Sequence, residues 1–206
     1  MNWRLIVKDP QKQPSEGTYK DWKEQIADEC FHQCVYCSIH ENPWGGIDHY
    51  HIDHYRPKSI IRFKHLENDI CNLFYACPVC NKFKLNDWPG EPDDLQKICY
   101  PDPSITNYQT LFNLDMTNYS ISSSYISGQY LINRLYLNRP QLVYERREGT
   151  LKQLGAQLIN EITTMLKNCE DIAIINKALT IINDVIQHLS KRDRIRPYRL
   201  ADIRKP

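Results

Sequence analysis

A chain of 206 residues with 41% hydrophobic content is long enough for one good core, or for one core and a small metal-stapled module. That apolar content excludes a disordered chain. No run approaches a membrane span, and the short apolar run in MNWRLIVKDP is no signal peptide, so the expectation is a cytoplasmic protein with no membrane partner. A net charge of +1 argues against a strong free-standing nucleic-acid binder, but the charge is uneven, with a net +3 on residues 51–84 and a net +4 on residues 151–206.

In chain order, residues 1–29 are set apart, with a polar leader over residues 1–16 that holds Pro10 and Pro14 and then a short helix around Tyr19–Glu29. Residues 30–100 hold seven of the eight cysteines and six of the seven histidines, which marks a distinct module. WPGEPDDLQKICYPDP, residues 88–103, carries four prolines and a glycine and reads as its closing loop. Residues 101–206 form the remaining region, a hairpin and then helices. YQTLFNL and the segment near Tyr119–Ser123 flank a polar turn and predict the hairpin. Leu151, Leu154, Leu158, Ile162 and Met165 make one helical stripe. Ile172, Ile175, Leu179, Ile182, Val185, Ile186 and Leu189 make a second, and the two helices are expected to pair through a joint near Asn168–Asp171. Core packing is the plain account of both stripes, and a partner-binding face is the alternative. The tail KRDRIRPYRLADIRKP carries seven basic residues against two acids.

Cys34-Val-Tyr-Cys37 and Cys77-Pro-Val-Cys80 are two CxxC knuckles. Together they supply four thiolates, which satisfies the closed tetrahedral coordination of a structural zinc. A thioredoxin-like redox site needs one CxxC inside a βαβ pattern that is not evident here, and disulfides need an oxidising compartment that nothing signals. Zinc deaminases pair H-x-E with P-C-x-x-C, but here Asp53 stands at the glutamate's place and Cys34 and Cys37 would have no role. Cys30, Cys71, Cys99 and Cys169 are left as ordinary thiols.

Between the knuckles lies HIDHYRPKS, residues 51–59. A hard cation such as Mg²⁺ takes oxygen ligands, and Asp53 with the amide carbonyl of Asn81 leaves most of its sphere for water and phosphate. His54, beside that aspartate, is placed as the base that takes a proton from water. On a regular strand Asp53 and His54 would point to opposite faces, so the backbone must turn there, and Pro57 helps to end the strand. His51 alternates with Asp53 and is either a third cation ligand or a surface residue. Arg56, Lys58, Arg62 and Lys64 lack acidic neighbours within residues 54–66 and are expected at the phosphate backbone.

The order Cys34-x-x-Cys37, Asp53-His54-x-x-Pro57, Asn72-Leu73, Cys77-x-x-Cys80-Asn81-x-x-Lys84 resembles the zinc-braced HNH endonucleases over residues 30–90. The resemblance implies an α+β chain, with a ββα-metal HNH module followed by a mostly helical C-terminal region. It implies Zn²⁺ at the four cysteines and a catalytic Mg²⁺ or Mn²⁺ at Asp53 and Asn81, with His54 as general base. It also implies that Asn72 braces the base-bearing loop and that Lys84 meets phosphate, on a DNA substrate with RNA not excluded. HIDHYRPKS, NLFYACPVCNKFKLND and the downstream LINRLYLNRPQLVYERR further resemble the HNH subunits of Septu-type and retron-associated anti-phage systems. Many of those carry Glu at the place of Asp53. This closer resemblance implies control by an ATPase partner. The rival reading is a non-catalytic zinc module that binds nucleic acid or protein; it explains the cysteines but not the set Asp53, His54, Asn72 and Asn81.

Overall fold

The mostly polar HIDH and the unbroken apolar run LFYA make unlike strands: β1 (His51–His54) runs from an exposed His51 to a buried Asp53, and β2 (Leu73–Ala76) is buried throughout. They pair antiparallel, His51 opposite Ala76, Ile52 opposite Tyr75, Asp53 opposite Phe74 and His54 opposite Leu73. This computed structural model describes residues 3–167 and 169–190, for 188–190 the backbone alone. The basic tail from Lys191 and the expected joint residue Asn168 lie outside the described residues.

Helix α1 (Lys23–Glu29) lies against both strands and buries Ile26 and Ala27. After β2 comes Cys77 and then α2 (Pro78–Lys84), which packs on β1. Its start is well specified: proline at the first helical position has no N–H to lose, and Cys77 Sγ accepts the Cys80 N–H at 3.4 Å. The fold is thus α+β, with small two-stranded sheets among helices.

The described part of the polar leader expected over residues 1–16 joins this core. Trp3 and Ile6 are buried, Trp3 Nε1 donates to the Tyr36 carbonyl at 3.1 Å, and Ile6 N donates to the Pro103 carbonyl at 3.1 Å. Tyrosines supply much of the interior, and each of the following buried hydroxyls finds an acceptor. Tyr50 donates to Ile39 O at 3.0 Å, Tyr55 to Tyr100 O at 2.6 Å, Tyr100 to Asp87 Oδ2 at 2.8 Å and Tyr108 to Pro101 O at 2.7 Å. Tyr75 donates to the buried Glu41.

After α3 (Tyr108–Leu111), β3 (Asn113–Leu114) pairs antiparallel with β4 (Ile121–Ser122), a short form of the expected hairpin, and α4 (Ile126–Arg134) follows. The boundary expected after residue 100 falls later: a first unit ends at Arg139 and a second begins at Pro140. The reason is burial, since Tyr108, Leu111, Ile121, Leu131 and Leu135 belong to the core of the first unit.

The second unit pairs α5 (Pro140–Leu166) with α6 (Ile172–Ser190). Asp171 Oδ1 caps α6 by accepting the Ala173 N–H at 2.8 Å. On α6 the half-buried side chains are Ile175, Ala178, Ile182 and Val185; Ala178 is not in the expected stripe, and that stripe's Ile172, Leu179 and Ile186 are exposed. On α5 the expected stripe is displaced: Leu151 and Ile162 are covered, with Gly155, Ile159 and Leu166, whereas Leu154, Leu158 and Met165 are exposed. Gly155 counts as nothing in a hydrophobic pattern, yet its bare backbone belongs to the covered face. Among the described residues no helix is long and apolar enough to cross a membrane.

Candidate functional site

The first knuckle turns tightly, with Cys34 N donating to Ile39 O at 2.9 Å, Ser38 N to Cys34 O at 2.8 Å and Ser38 at φ 53°. Val35 N donates to Tyr75 O at 2.9 Å, which fixes this turn to β2 and brings it to the second knuckle at the start of α2. The sulfurs of Cys34, Cys37, Cys77 and Cys80 all lie within 4.8 Å of one another and all four residues are buried. Cys37 Sγ and Cys77 Sγ are 3.8 Å apart. A tetrahedron with zinc–sulfur bonds of about 2.3 Å has an edge of about 3.8 Å, so the cluster has the dimensions of a four-thiolate zinc centre.

One partner of this cluster escaped the sequence reading. Arg139 is buried, and its Nη2 lies 3.6 Å from Cys80 Sγ and 4.0 Å from Cys77 Sγ. Burial alone would lower the Arg139 pKa, but the sulfur charge of Cys80, Cys37 and Cys77 raises it instead. Four thiolates on Zn²⁺ leave a net double negative charge, and a buried guanidinium offsets half of it. Nothing in the local pattern around Asn138-Arg139-Pro140 announces this, because the contact spans about sixty residues of chain. Of the remaining thiols, Cys30 is fully buried and pushed up to about 11 by desolvation, in keeping with an inert side chain.

Beside the cluster, a cleft of about 250 Å³ is lined by Asp53, His54, Asn81 and Lys58, with Tyr19 on its wall. His54 Nε2 lies 2.9 Å from the carbonyl oxygen of Glu67. A carbonyl can only accept, so Nε2 carries the proton and Nδ1 of the neutral ring keeps its lone pair. Burial, and secondarily the charge of Lys58, holds the His54 pKa below its ordinary value, while the bond to Glu67 pulls it upward. The ring is therefore neutral and able to take a proton near pH 7.

Asn72 is buried and joins separate stretches of backbone: its Oδ1 accepts Arg56 N at 2.8 Å, and its Nδ2 donates to Arg56 O at 3.1 Å and Leu66 O at 3.2 Å. It thereby ties the loop that follows His54 to the segment before β2. Asp53 is also buried. Tyr36 donates to its Oδ2 at 2.5 Å, and Lys84 Nζ lies 3.1 Å from its carboxylate and donates to His54 O at 2.8 Å. A carboxylate has about four lone-pair directions, so these contacts leave room for one more ligand. Asn81 Nδ2 lies 3.0 Å from His51 Nδ1, and the Asn81 carbonyl oxygen is left to other partners. His51 is thus exposed beside Asn81, away from the lining of the cleft. One oxygen each from Asp53 and Asn81 fits a divalent cation that takes its other ligands from water and phosphate.

Two expectations change. Lys84, expected at phosphate, has a wholly buried side chain, and a buried ammonium must keep its counter-ion, here Asp53. Helical spacing puts Lys84 one turn from Asn81, on the face that packs on β1 rather than toward solvent. The loop cations are likewise not unpaired. Arg56 and Arg62 reach Glu91, at 3.5 and 3.2 Å, and Lys58 reaches Glu67 at 2.9 Å, with Lys64 on the same carboxylate. Glu67 lies just past residues 54–66 and Glu91 well beyond them. Arg56 also faces the rings of Phe63 and Trp88, at 5.9 and 5.8 Å, which meet each other edge-on. Of these cations, Lys58 is the one that lines the cleft.

No family model matches the chain, and no curated protein or solved structure matches it.

Proposed function

We propose that the chain is a metal-dependent endonuclease of the HNH type that hydrolyses phosphodiester bonds in DNA. What supports this reading is one arrangement: Asp53, Asn81 and a histidine with an available Nδ1 open onto a single cleft beside a buried four-cysteine cluster. A binding module needs no such base. The resemblance to zinc-braced HNH endonucleases points the same way. A divalent cation held by Asp53 and Asn81 would neutralise negative charge on the phosphate and on the leaving oxygen.

The protein's own groups do the rest. His54 Nδ1 takes a proton from water as the water oxygen bonds to phosphorus and the bond from phosphorus to the 3′ oxygen breaks. The ends are a 5′ phosphate and a 3′ hydroxyl. The carbonyl of Glu67 holds the imidazole in the required tautomer, and Asn72 holds the loop that carries it. Lys84 and Tyr36 fix the Asp53 carboxylate.

The cation assignment is tested by titrating DNA nicking with Mn²⁺. Asn81→Ala should raise the half-saturating Mn²⁺ concentration by about tenfold or more, in line with the loss of one metal ligand. An unchanged titration would remove Asn81 from the cation site. Asp53→Ala is the poorer probe, because it strands the buried Lys84 ammonium at a cost of about 3–5 kcal/mol.

We further propose that the enzyme serves anti-phage defence under control of an ATPase partner, as the Septu-type resemblance implies. Besides that resemblance, support comes from the apolar residues left exposed on the second unit: Leu154, Leu158 and Met165 on α5, and Ile172, Leu179 and Ile186 on α6. Exposed apolar side chains gathered on paired helices suit burial by another protein. Leu179→Asp with Ile186→Asp should abolish co-purification with an ATPase encoded alongside while the melting temperature holds. Full retention of the complex would move the interface elsewhere.

A further inference from the structure

Tyr19 belongs to the N-terminal segment, outside every motif that suggested chemistry, yet it forms a wall of the cleft. Its position is held from two sides. Tyr19 N donates to Asn68 Oδ1 at 2.9 Å, and Gln13, six residues earlier, donates to Asn68 O at 3.1 Å and accepts Ile70 N at 2.8 Å. The segment is thus strapped across residues 68–70, immediately after the Glu67 carbonyl that orients His54. The Tyr19 ring meets the His54 ring edge-on, with centroids 4.7 Å apart.

On the same wall Lys58 Nζ donates to Tyr19 Oη at 2.7 Å and to Glu67 Oε1 at 2.9 Å, and lies 4.2 Å from the centre of the Tyr19 ring. An ammonium has three N–H donors, so one remains after these two bonds. The Tyr19 hydroxyl accepts from Lys58 and keeps its own O–H, which meets no acceptor among the described residues. Two donors, one of them cationic, therefore remain side by side next to His54. Glu67 holds the lysine in place, so little side-chain freedom is lost when a ligand arrives.

We propose that Tyr19 and Lys58 form an anion subsite that receives a non-bridging phosphate oxygen of the substrate, on the His54 side of the cleft. In the nuclease reading, on which its biological use rests, the pair holds the scissile or adjacent phosphate against the base. Neither residue is catalytic; both are substrate-binding groups. The N-terminal segment then completes the site, and Asn68 is its anchor.

Calorimetric titration of the zinc-loaded chain with inorganic pyrophosphate, without divalent cation, reads this subsite alone. Wild type should take up pyrophosphate, and both Tyr19→Phe and Lys58→Met should bind it about tenfold more weakly, the weight of one charge-assisted hydrogen bond. Tyr19→Phe is the decisive variant, since it keeps the ring, the charge and the packing on His54. The same variants are then compared for binding to a fluorescein-labelled duplex of about 20 base pairs in the His54→Ala background. Tyr19→Phe should weaken binding with no change in salt slope, whereas Lys58→Met should lower the slope by about one. Absence of pyrophosphate uptake by wild type, or equal uptake by wild type and Tyr19→Phe, overturns the subsite. Nicking of DNA by wild type is scored separately, so failure of the nuclease reading does not masquerade as failure of the subsite. Zinc content and melting temperature confirm that the variants are folded.

Discussion

Cys34→Ser combined with Cys77→Ser should strip the chain of zinc and unfold its first unit. The four sulfurs lie within 4.8 Å of one another and join the turn before Ser38 to the start of α2, two parts of the chain separated by β1, β2 and their connecting loop. Structural zinc in small modules binds with an apparent free energy of about 10–16 kcal/mol at pH 7. The stability of a whole domain is about 5–15 kcal/mol, so loss of the metal is of the same size as the fold's entire margin. Removing one sulfur from each knuckle leaves two ligands, too few for a closed site. Metal analysis and a melting curve decide the matter. A double variant with full zinc content and wild-type melting would contradict the assignment. In the same measurements Arg139→Met should lower zinc affinity by about 10–100-fold, the range for outer-shell partners, because the thiolates lose the guanidinium beside Cys80.

His54→Ala should reduce single-turnover DNA cleavage by about 10²–10⁴-fold, the usual worth of a general base. Zinc content should be unchanged, since His54 is no part of the sulfur cluster. The carbonyl of Glu67 accepts from Nε2, and in the proposed mechanism Nδ1 takes the proton, so the loss should fall on the chemical step and not on cation affinity. The half-saturating Mn²⁺ concentration should stay near wild type, which distinguishes this variant from Asn81→Ala. Cleavage at the wild-type rate under saturating Mn²⁺ would remove His54 from the mechanism.

The parts of the site that depend on sequence spacing were legible in the chain. Each CxxC pair sets two sulfurs by local spacing, and the paired motifs announce a four-sulfur site. The expected short helix near Tyr19–Glu29 forms over Lys23–Glu29. Most of the departures share a physical cause, a contact between distant segments. Lys84 looks like a solvent-facing cation of a short helix until β1 brings Asp53 against it. Arg56 and Lys58 look unpaired until Glu91 and Glu67 are placed in space. Trp3 reads as part of a polar leader, and Tyr19 as the start of a short helix, because the groups that hold them, Tyr36 and Asn68, lie far along the chain. On α5 the stripe failed for another reason. Gly155 is invisible to a hydrophobic count, so the pattern followed the larger, exposed Leu154 and Leu158.

Conversion of supercoiled plasmid by the purified, zinc-loaded chain, with Mg²⁺ or Mn²⁺ and with the cation chelated, tests the central claim most directly. The account predicts nicked and linear DNA only when the cation is present, loss of that conversion in His54→Ala, and nicks with 5′ phosphate and 3′ hydroxyl ends that DNA ligase reseals. Conversion that persists without divalent cation, or that His54→Ala carries out as fast as wild type, would contradict it.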